Sequence, residues 1–97
     1  MNFGYNYFTG TGNAGDLAWA IARLFVREFN PAASVAHIAS SLTTKFRAIY
    51  NSIGGSSFAW GDLGGAILDI GELLLTFAPS AGIWRITKFL WGSSNLL

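Results

Sequence analysis

Apolar residues recur every three or four positions across the second quarter of the chain. This spacing places them on one side of an α-helix, which we predict from about Pro31 to Ile53. The polar side opposite is narrow and weakly charged, which is typical of a helix packed between other helices. The predicted helix-packing residues are Val35, Ile38, Leu42, Phe46, Ile49 and Ile53.

A second apolar segment, from Phe58 to Ala78, carries three acidic residues and no basic one. Helical spacing places Asp62, Asp69 and Glu72 on one narrow stripe, here called the acidic stripe, opposite the Leu and Ile residues. The segment has the length of a membrane-spanning helix, about 20 residues, but its charges oppose insertion. We therefore expect an amphipathic helix that packs on protein near neutral pH and seeks lipid in acid, where protonation removes the charges.

Glycine and proline mark the ends of this acidic helix. Residues 54–57, Gly-Gly-Ser-Ser, predict a hinge before it, and Pro79 predicts its end. Within it, Gly61 and Gly65 have the small-xxx-small spacing that lets helices approach closely in membranes.

Shorter patterns complete the predicted fold. Asp16 is a suitable N-cap for a first helix that ends near Phe29, and Ser80 for a last helix that ends near Trp91. The pattern predicts an all-α protein of three to four amphipathic or apolar helices in a hairpin-like arrangement, forming one small domain over residues 1–97. Its segments are an extended N-terminal arm with aromatic anchors for a neighbouring subunit (1–15), a helical hairpin (16–53), a Gly/Ser hinge (54–57), an apolar helical hairpin (58–91) and a tail (92–97).

Charges segregate between the last two helices. The last helix contains Arg85 and Lys88 but no acid, so it has two possible placements: paired with the acidic helix, or at a membrane surface with Trp84 and Trp91 at headgroup level. The residues predicted to face lipid or a partner are Trp60, Leu63, Ile67, Ile70, Leu74, Phe77, Trp84 and Trp91.

The composition favours a protein that buries part of its surface. Hydrophobic residues make up 52% of the chain and charged residues 11%, against an average of about 25% charged. A small monomer normally covers itself with charged side chains, so we expect self-association, contact with other subunits, or contact with membrane lipid. The alternative is a free-standing bundle with a Ser/Thr/Gly-rich exterior. A net charge of +1 argues against specific nucleic-acid binding.

No pattern in the sequence predicts catalysis. The one histidine, His37, has Ser41 at the i+4 position where a metal ligand would stand, and there is no cysteine. Asp69 and Glu72 form a pair of neighbouring carboxylates, but a solvated face or an intersubunit ion pair is a commoner role for such a pair than acid–base chemistry. We therefore predict a non-enzymatic protein with no catalytic residues, no metal and no cofactor.

One short stretch at the start of the acidic helix has a distinctive pattern of glycine and aromatic residues, at Gly54, Gly55, Phe58, Trp60, Gly61 and Ile67. With these positions the stretch resembles the opening of the membrane-lytic amphipathic helix of adenovirus protein VI, an internal capsid protein, although that helix is basic and this one is acidic. The resemblance implies a component of a virus particle.

Together these patterns predict a small structural, membrane-associated subunit of a larger assembly. The favoured interpretation is a minor or internal virion protein, located in the virion or at a membrane, that contacts lipid or a hydrophobic partner surface. Two alternatives are a pore-forming or membrane-lytic peptide and a helical-hairpin subunit of a pilus-like filament.

Overall fold

Four α-helices make up most of the regular structure within the described part of the chain. The structure is a computed structural model that describes residues 7, 8, 10, 13–55 and 57–96. The helices are α1 (Ala14–Phe29), α2 (Val35–Ile53), α3 (Trp60–Leu75) and α4 (Ile83–Leu96), with one turn of 3-10 helix at Pro79–Ala81. No strand occurs within the described residues, so the predicted all-α class is confirmed.

The first two helices begin where a polar side chain caps them. The Asn13 side-chain oxygen accepts a hydrogen bond from the Asp16 backbone N–H at 3.1 Å, so Asn13 rather than Asp16 is the N-cap of α1. Asp16 instead lies in the first turn, where a carboxylate is favourable beside the helix dipole. In the same way the Ser34 hydroxyl accepts from the His37 N–H at 3.2 Å, and α2 therefore begins four residues later than the predicted Pro31.

Helix α3 begins at Trp60, two residues after the predicted start. The carboxylate of Asp62 accepts a hydrogen bond from the Ala59 backbone N–H at 2.9 Å, which is one half of a capping box. Ala59 has no side-chain acceptor to supply the other half. One member of the acidic stripe therefore has a local structural role.

The C-terminal ends of α3 and α4 differ from the sequence prediction. Ala78 has φ −149° and ψ 66°, a conformation outside the helical region, because the ring of Pro79 disfavours helical geometry in the residue before it. Helix α3 accordingly ends at Leu75. Helix α4 continues beyond Trp91 to Leu96, so most of the predicted tail at 92–97 is helical.

The helices form two hairpins that pack on each other. The most extensive contacts join α1 to α2 and α3 to α4, and further contacts join α2 to α3 and α1 to α4. The Cα radius of gyration, 12.2 Å, matches the value of about 12.5 Å expected for a compact domain of this length. Large, fully buried side chains come from every helix and from the N-terminal segment: Phe8, Leu17, Phe25, Ile38, Leu42, Phe46, Leu63, Leu74, Ile86 and Leu90.

The described part of the N-terminal segment belongs to this core. Tyr7 and Phe8 have helical backbone, and Phe8 is only 1% exposed. The Phe8 ring stacks on Phe58 at 5.2 Å and meets Phe46 edge-on at 6.1 Å. These aromatic residues therefore anchor on the chain's own core and are not extended. The rest of the predicted arm, at 1–6, 9 and 11–12, lies outside the described residues.

The N-terminal segment also forms a backbone hydrogen bond with the predicted hinge. The Gly55 N–H donates to the carbonyl of Phe8 at 2.8 Å, and Gly55 has φ +105°, a conformation that glycine adopts without a steric penalty. The connection between the two hairpins is thus tied to the first described residues of the chain.

Helices α3 and α4 approach closely at two glycines. A Cβ atom added to Gly71 would lie 3.3 Å from the terminal methyl of Ile83, and one added to Gly64 would lie 4.0 Å from the ring of Trp91. The two glycines are seven residues apart, so they lie on the same side of α3. Their missing side chains allow α4 to lie against this side.

We predict that Phe8→Ala destabilises the fold by roughly 3–5 kcal/mol, because it leaves a cavity among packed aromatic rings. Denaturant unfolding followed by circular dichroism measures the change. The matched control is Trp19→Ala, which removes an aromatic side chain that is 41% exposed and should change stability by less than about 1 kcal/mol. Equal shifts in the two variants would show that the N-terminal segment is not part of the core.

We also predict opposite effects for two glycines of α3. Gly71→Leu should cost about 1–3 kcal/mol, because the side chain has no room beside α4. Gly65→Ala should stabilise by up to about 1 kcal/mol, because the helix gains propensity and the Cβ of residue 65 meets no atom within 4 Å. Thermal melts of the two variants test the hairpin geometry, and a neutral Gly71→Leu would contradict it.

Candidate functional site

The described residues hold no constellation typical of a metal site. No group of three or more His, Cys, Asp or Glu residues comes together within them. His37 is exposed, and its ring meets Phe77 edge-on at 5.7 Å, which joins the start of α2 to the end of the α3 segment. This contact gives the histidine a packing role in the fold.

The three carboxylates of the acidic stripe have different surroundings. Asp62 caps its own helix. Asp69 Oδ1 lies 3.2 Å from the Lys45 Nζ of α2, and this is the only ion pair within the described residues. Glu72 is exposed and takes part in no ion pair there. The possible pairing of charges between α3 and α4 is therefore not seen in the described residues.

The apolar stripe of α3 faces the interior of the molecule. Because the hairpin turns its apolar side toward the core, four side chains predicted to face lipid or a partner lie in the chain's own core. Phe77 is half-buried, and the side chain of Trp60 lies outside the description. The four buried side chains are Leu63, Ile67, Ile70 and Leu74, each 3% exposed or less.

The predicted packing stripe of α2 lies mostly in the same core. Its two end residues differ: Val35 is half-buried, and Ile53 is 39% exposed. The four central residues, Ile38, Leu42, Phe46 and Ile49, are all buried.

A set of large apolar side chains remains exposed along the hairpin of α3 and α4. Trp84 is the most exposed, at 71%, and Trp91, Ile83 and Leu68 are between 36% and 51% exposed. Lys88 is also exposed and lies between the two tryptophans in sequence. We call this set, Leu68, Ile83, Trp84, Lys88 and Trp91, the tryptophan face.

Helical geometry places these side chains together. Trp84 and Trp91 are separated by two helical turns, about 10 Å, and Lys88 lies on the same side of α4 between them. Trp91 lies over Gly64 of α3, and Leu68 follows Gly64 by one turn. The face therefore combines two indole rings, an aliphatic border and a central cation.

The second cation of α4, Arg85, contacts another helix. The guanidinium group of Arg85 stacks over the ring of Phe29 at 5.2 Å, a cation–π contact that joins α4 to the end of α1. Helix α4 contains no acidic residue. Its charge is thus wholly positive, with Lys88 on the tryptophan face.

Two members of this face differ in how well sequence indicates them. Ile83 begins the last helix and adjoins Trp84 in the predicted lipid-contacting segment. Leu68 is not among the residues predicted from the sequence to face lipid or a partner. Its position nevertheless indicates exposure, because it falls outside the stripe formed by Ile67, Ile70 and Leu74. A large apolar residue outside the packing stripe of an amphipathic helix is a candidate for external contact.

Comparison of the chain with protein-family models, with curated proteins and with solved structures gives no significant match. The short resemblance to the adenovirus protein VI helix is therefore not accompanied by a match to any family model. Among the described residues, none of the helices combines the length and the hydrophobicity that crossing a bilayer requires.

We predict a small coupling energy for Lys45 and Asp69. Their side chains remain 32% and 47% exposed, so water screens the pair, and a double-mutant cycle with Lys45→Met and Asp69→Asn should give roughly 0.2–1 kcal/mol. Urea unfolding of the two single variants and the double variant supplies the cycle. A coupling well above this range would mean that the ion pair, and not the apolar core, holds α2 against α3.

Proposed function

We propose that this protein is a non-enzymatic, membrane-associated structural subunit that binds the surface of a lipid bilayer through its tryptophan face. The observation that carries the proposal is the stripe of Trp84, Lys88 and Trp91 on the outside of α4, where Trp84 is 71% exposed. An indole ring that projects from a folded core is suited to a second apolar environment.

The chemistry of the stripe matches the border between headgroups and acyl chains. Tryptophan concentrates there because its ring is apolar and its N–H is a hydrogen-bond donor. A lysine between two tryptophans can lay its alkyl chain along the apolar surface and hold its ammonium group among the phosphates. The lack of acidic residues on α4 leaves nothing on that helix to repel anionic lipid.

The orientation follows from the fold. Helix α4 has 14 residues and packs on α3 along one side, so only its outer side is available to lipid. A helix with one available apolar side lies in the plane of the interface. The core formed by α3 remains behind it, which means that binding at neutral pH does not require the bundle to open.

The test is binding of the purified chain to vesicles made of zwitterionic lipid and of mixed zwitterionic and anionic lipid. We expect the double variant Trp84→Ala/Trp91→Ala to weaken partitioning by about tenfold or more, because it removes most of the apolar area that enters the membrane. Trp19→Ala is the matched control, since it removes an exposed tryptophan of α1 and should leave partitioning unchanged.

Cosedimentation with the vesicles gives the partition coefficient of each variant. Lys88→Gln should lower binding to anionic vesicles more than to zwitterionic ones, because one Lys near an anionic surface contributes about 1 kcal/mol. Equal partitioning of the wild type, the double variant and the control would reject this face as the membrane site.

The kind of assembly to which the protein belongs stays a prediction. The tryptophan face suits an internal virion protein that lies between a lipid layer and a protein shell, and it equally suits any assembly built on a membrane.

The acid-dependent step predicted for α3 is a separate proposal, supported by its acidic stripe. Vesicle leakage measured at about pH 5 and about pH 7.5 tests that step, and equal leakage at both would contradict it.

A further inference from the structure

The two hairpins meet along a boundary, here called the seam, that is less extensive than the contacts inside each hairpin. Near the end of α2, a cavity of about 200 Å³ remains between α2 and α3. It is lined by Ile49 and Ile53 on one side and by Gly65 and Ala66 on the other. Helices that border unfilled space lose packing contacts there. Because cooperative units often coincide with supersecondary motifs, the seam is the surface along which this fold separates most readily.

The N-terminal residues Tyr7 and Phe8 close the seam where the chain passes from one hairpin to the other. The ring of Tyr7 lies 5.6 Å from that of Tyr50 in α2, and Phe8 meets Phe46 of the same helix at 6.1 Å. Phe8 also stacks on Phe58, which leads into α3, at 5.2 Å. We call Tyr7 and Phe8 the clasp. Its rings contact both hairpins at once.

The connection that the clasp covers turns at Gly55. The Gly55 N–H donates to the Phe8 carbonyl at 2.8 Å, and its own carbonyl accepts from the Phe58 N–H at 3.1 Å. Gly55 has φ +105°, and a Cβ atom added there would meet nothing within 4 Å. The surroundings thus leave room for the chain to change direction, and glycine has the widest choice of backbone angles. The hydrogen bond to Phe8 ties this hinge to the clasp.

The rest of the seam is held by groups that belong to the helices. Phe89 of α4 meets Phe25 and Phe29 of α1 edge-on, at 6.1 and 5.3 Å. The Lys45–Asp69 pair also crosses the seam, but water screens it. These groups separate only when their helices move apart. The clasp precedes α1, so it can leave the core while every helix stays in place, and it is therefore the contact that can control opening.

We propose that the clasp keeps the two hairpins together, and that its release populates an open form in which the α3–α4 hairpin turns away as a unit about Gly55. The contacts inside each hairpin persist in the open form. The open form uncovers the apolar stripe of α3, whose residues are buried in the closed form. The clasp is thus an autoinhibitory contact that withholds this stripe. Use of the stripe on lipid rests on the proposed function, whereas opening itself is measured without lipid.

A buried cysteine measures opening, because the chain has no cysteine of its own. Ala66→Cys places a thiol where α3 is 2% exposed and borders the cavity against α2, so the added sulfur has room. Ala39→Cys places one at an equally buried site of α2, on the opposite side of that helix from Ala48, which lines the cavity. Hairpin opening exposes the first thiol and leaves the second covered.

Maleimide labelling of the folded, lipid-free chain gives the rate at each site, corrected for the rate in denaturant. We expect the Ala66→Cys variant to react at least about tenfold faster than the Ala39→Cys variant. Equal corrected rates would overturn the proposal, because they would mean that the chain unfolds in one step.

Two glycine variants separate hinge opening from unfolding of the whole chain. Gly55→Ala, added to Ala66→Cys, should speed labelling by roughly tenfold, because alanine disfavours φ +105° and the open form relieves the strain. Gly82→Ala is the matched control: Gly82 has φ +83° and equal room, but lies in the turn between α3 and α4. It should leave labelling nearly unchanged. Equal acceleration by both substitutions would overturn the proposal, because the thiol would then react through overall unfolding.

A milder variant than Phe8→Ala tests the clasp itself. Phe8→Leu, added to Ala66→Cys, should speed labelling by roughly fivefold, because it removes the ring contacts and keeps an apolar side chain. An unchanged rate, with Gly55→Ala still active, would reject the clasp as the controlling contact. Circular dichroism checks that every variant folds. Since no measurement uses lipid, the proposal can fail while the proposed membrane binding holds.

Discussion

The burial of one apolar stripe on α3 decides which surfaces of this protein are left for partners. Leu63, Ile67, Ile70 and Leu74 are all nearly inaccessible, so the helix that the sequence predicts to seek lipid is used to build the core. With α3 facing inward, α4 lies against the side of α3 that carries Gly64 and Gly71, and Trp84 and Trp91 remain exposed on its outer side. The candidate membrane site is thus a consequence of the packing.

The scarcity of charged residues is compatible with this fold because small polar residues cover much of the exterior. Hydroxyl groups of Thr43, Thr44 and Thr87 donate to the carbonyl of the residue four positions earlier in the same helix. Such side chains donate their hydroxyl hydrogen within their own helix and need no charged partner. A surface of this kind suits close contact with another subunit. Large apolar side chains remain accessible between these residues at the tryptophan face, at Trp19 of α1 and at Ile53 at the end of α2.

The sequence predicts the helices better than their orientation. The period of Ile38, Leu42, Phe46 and Ile49 identifies both α2 and its buried side, because a repeat of three to four residues has one structural meaning. The same argument identifies the apolar side of α3 but not whether protein or lipid covers it. That choice depends on how two hairpins pack, which is a property of the whole chain. The positions of the caps at Asn13 and Ser34 show a similar limit, since several polar residues near each helix start are chemically suitable.

The most direct test of this account is amide hydrogen exchange of the intact chain, free and bound to vesicles near neutral pH. We predict that the amides of α3 exchange slowly in both states, because the apolar side of α3 stays within the core while α4 makes the lipid contact. Added protection should be confined to the outer side of α4 and the adjoining part of α3 around Leu68. Loss of protection throughout α3 on binding would show that this helix leaves the bundle to enter the lipid, which would contradict the account.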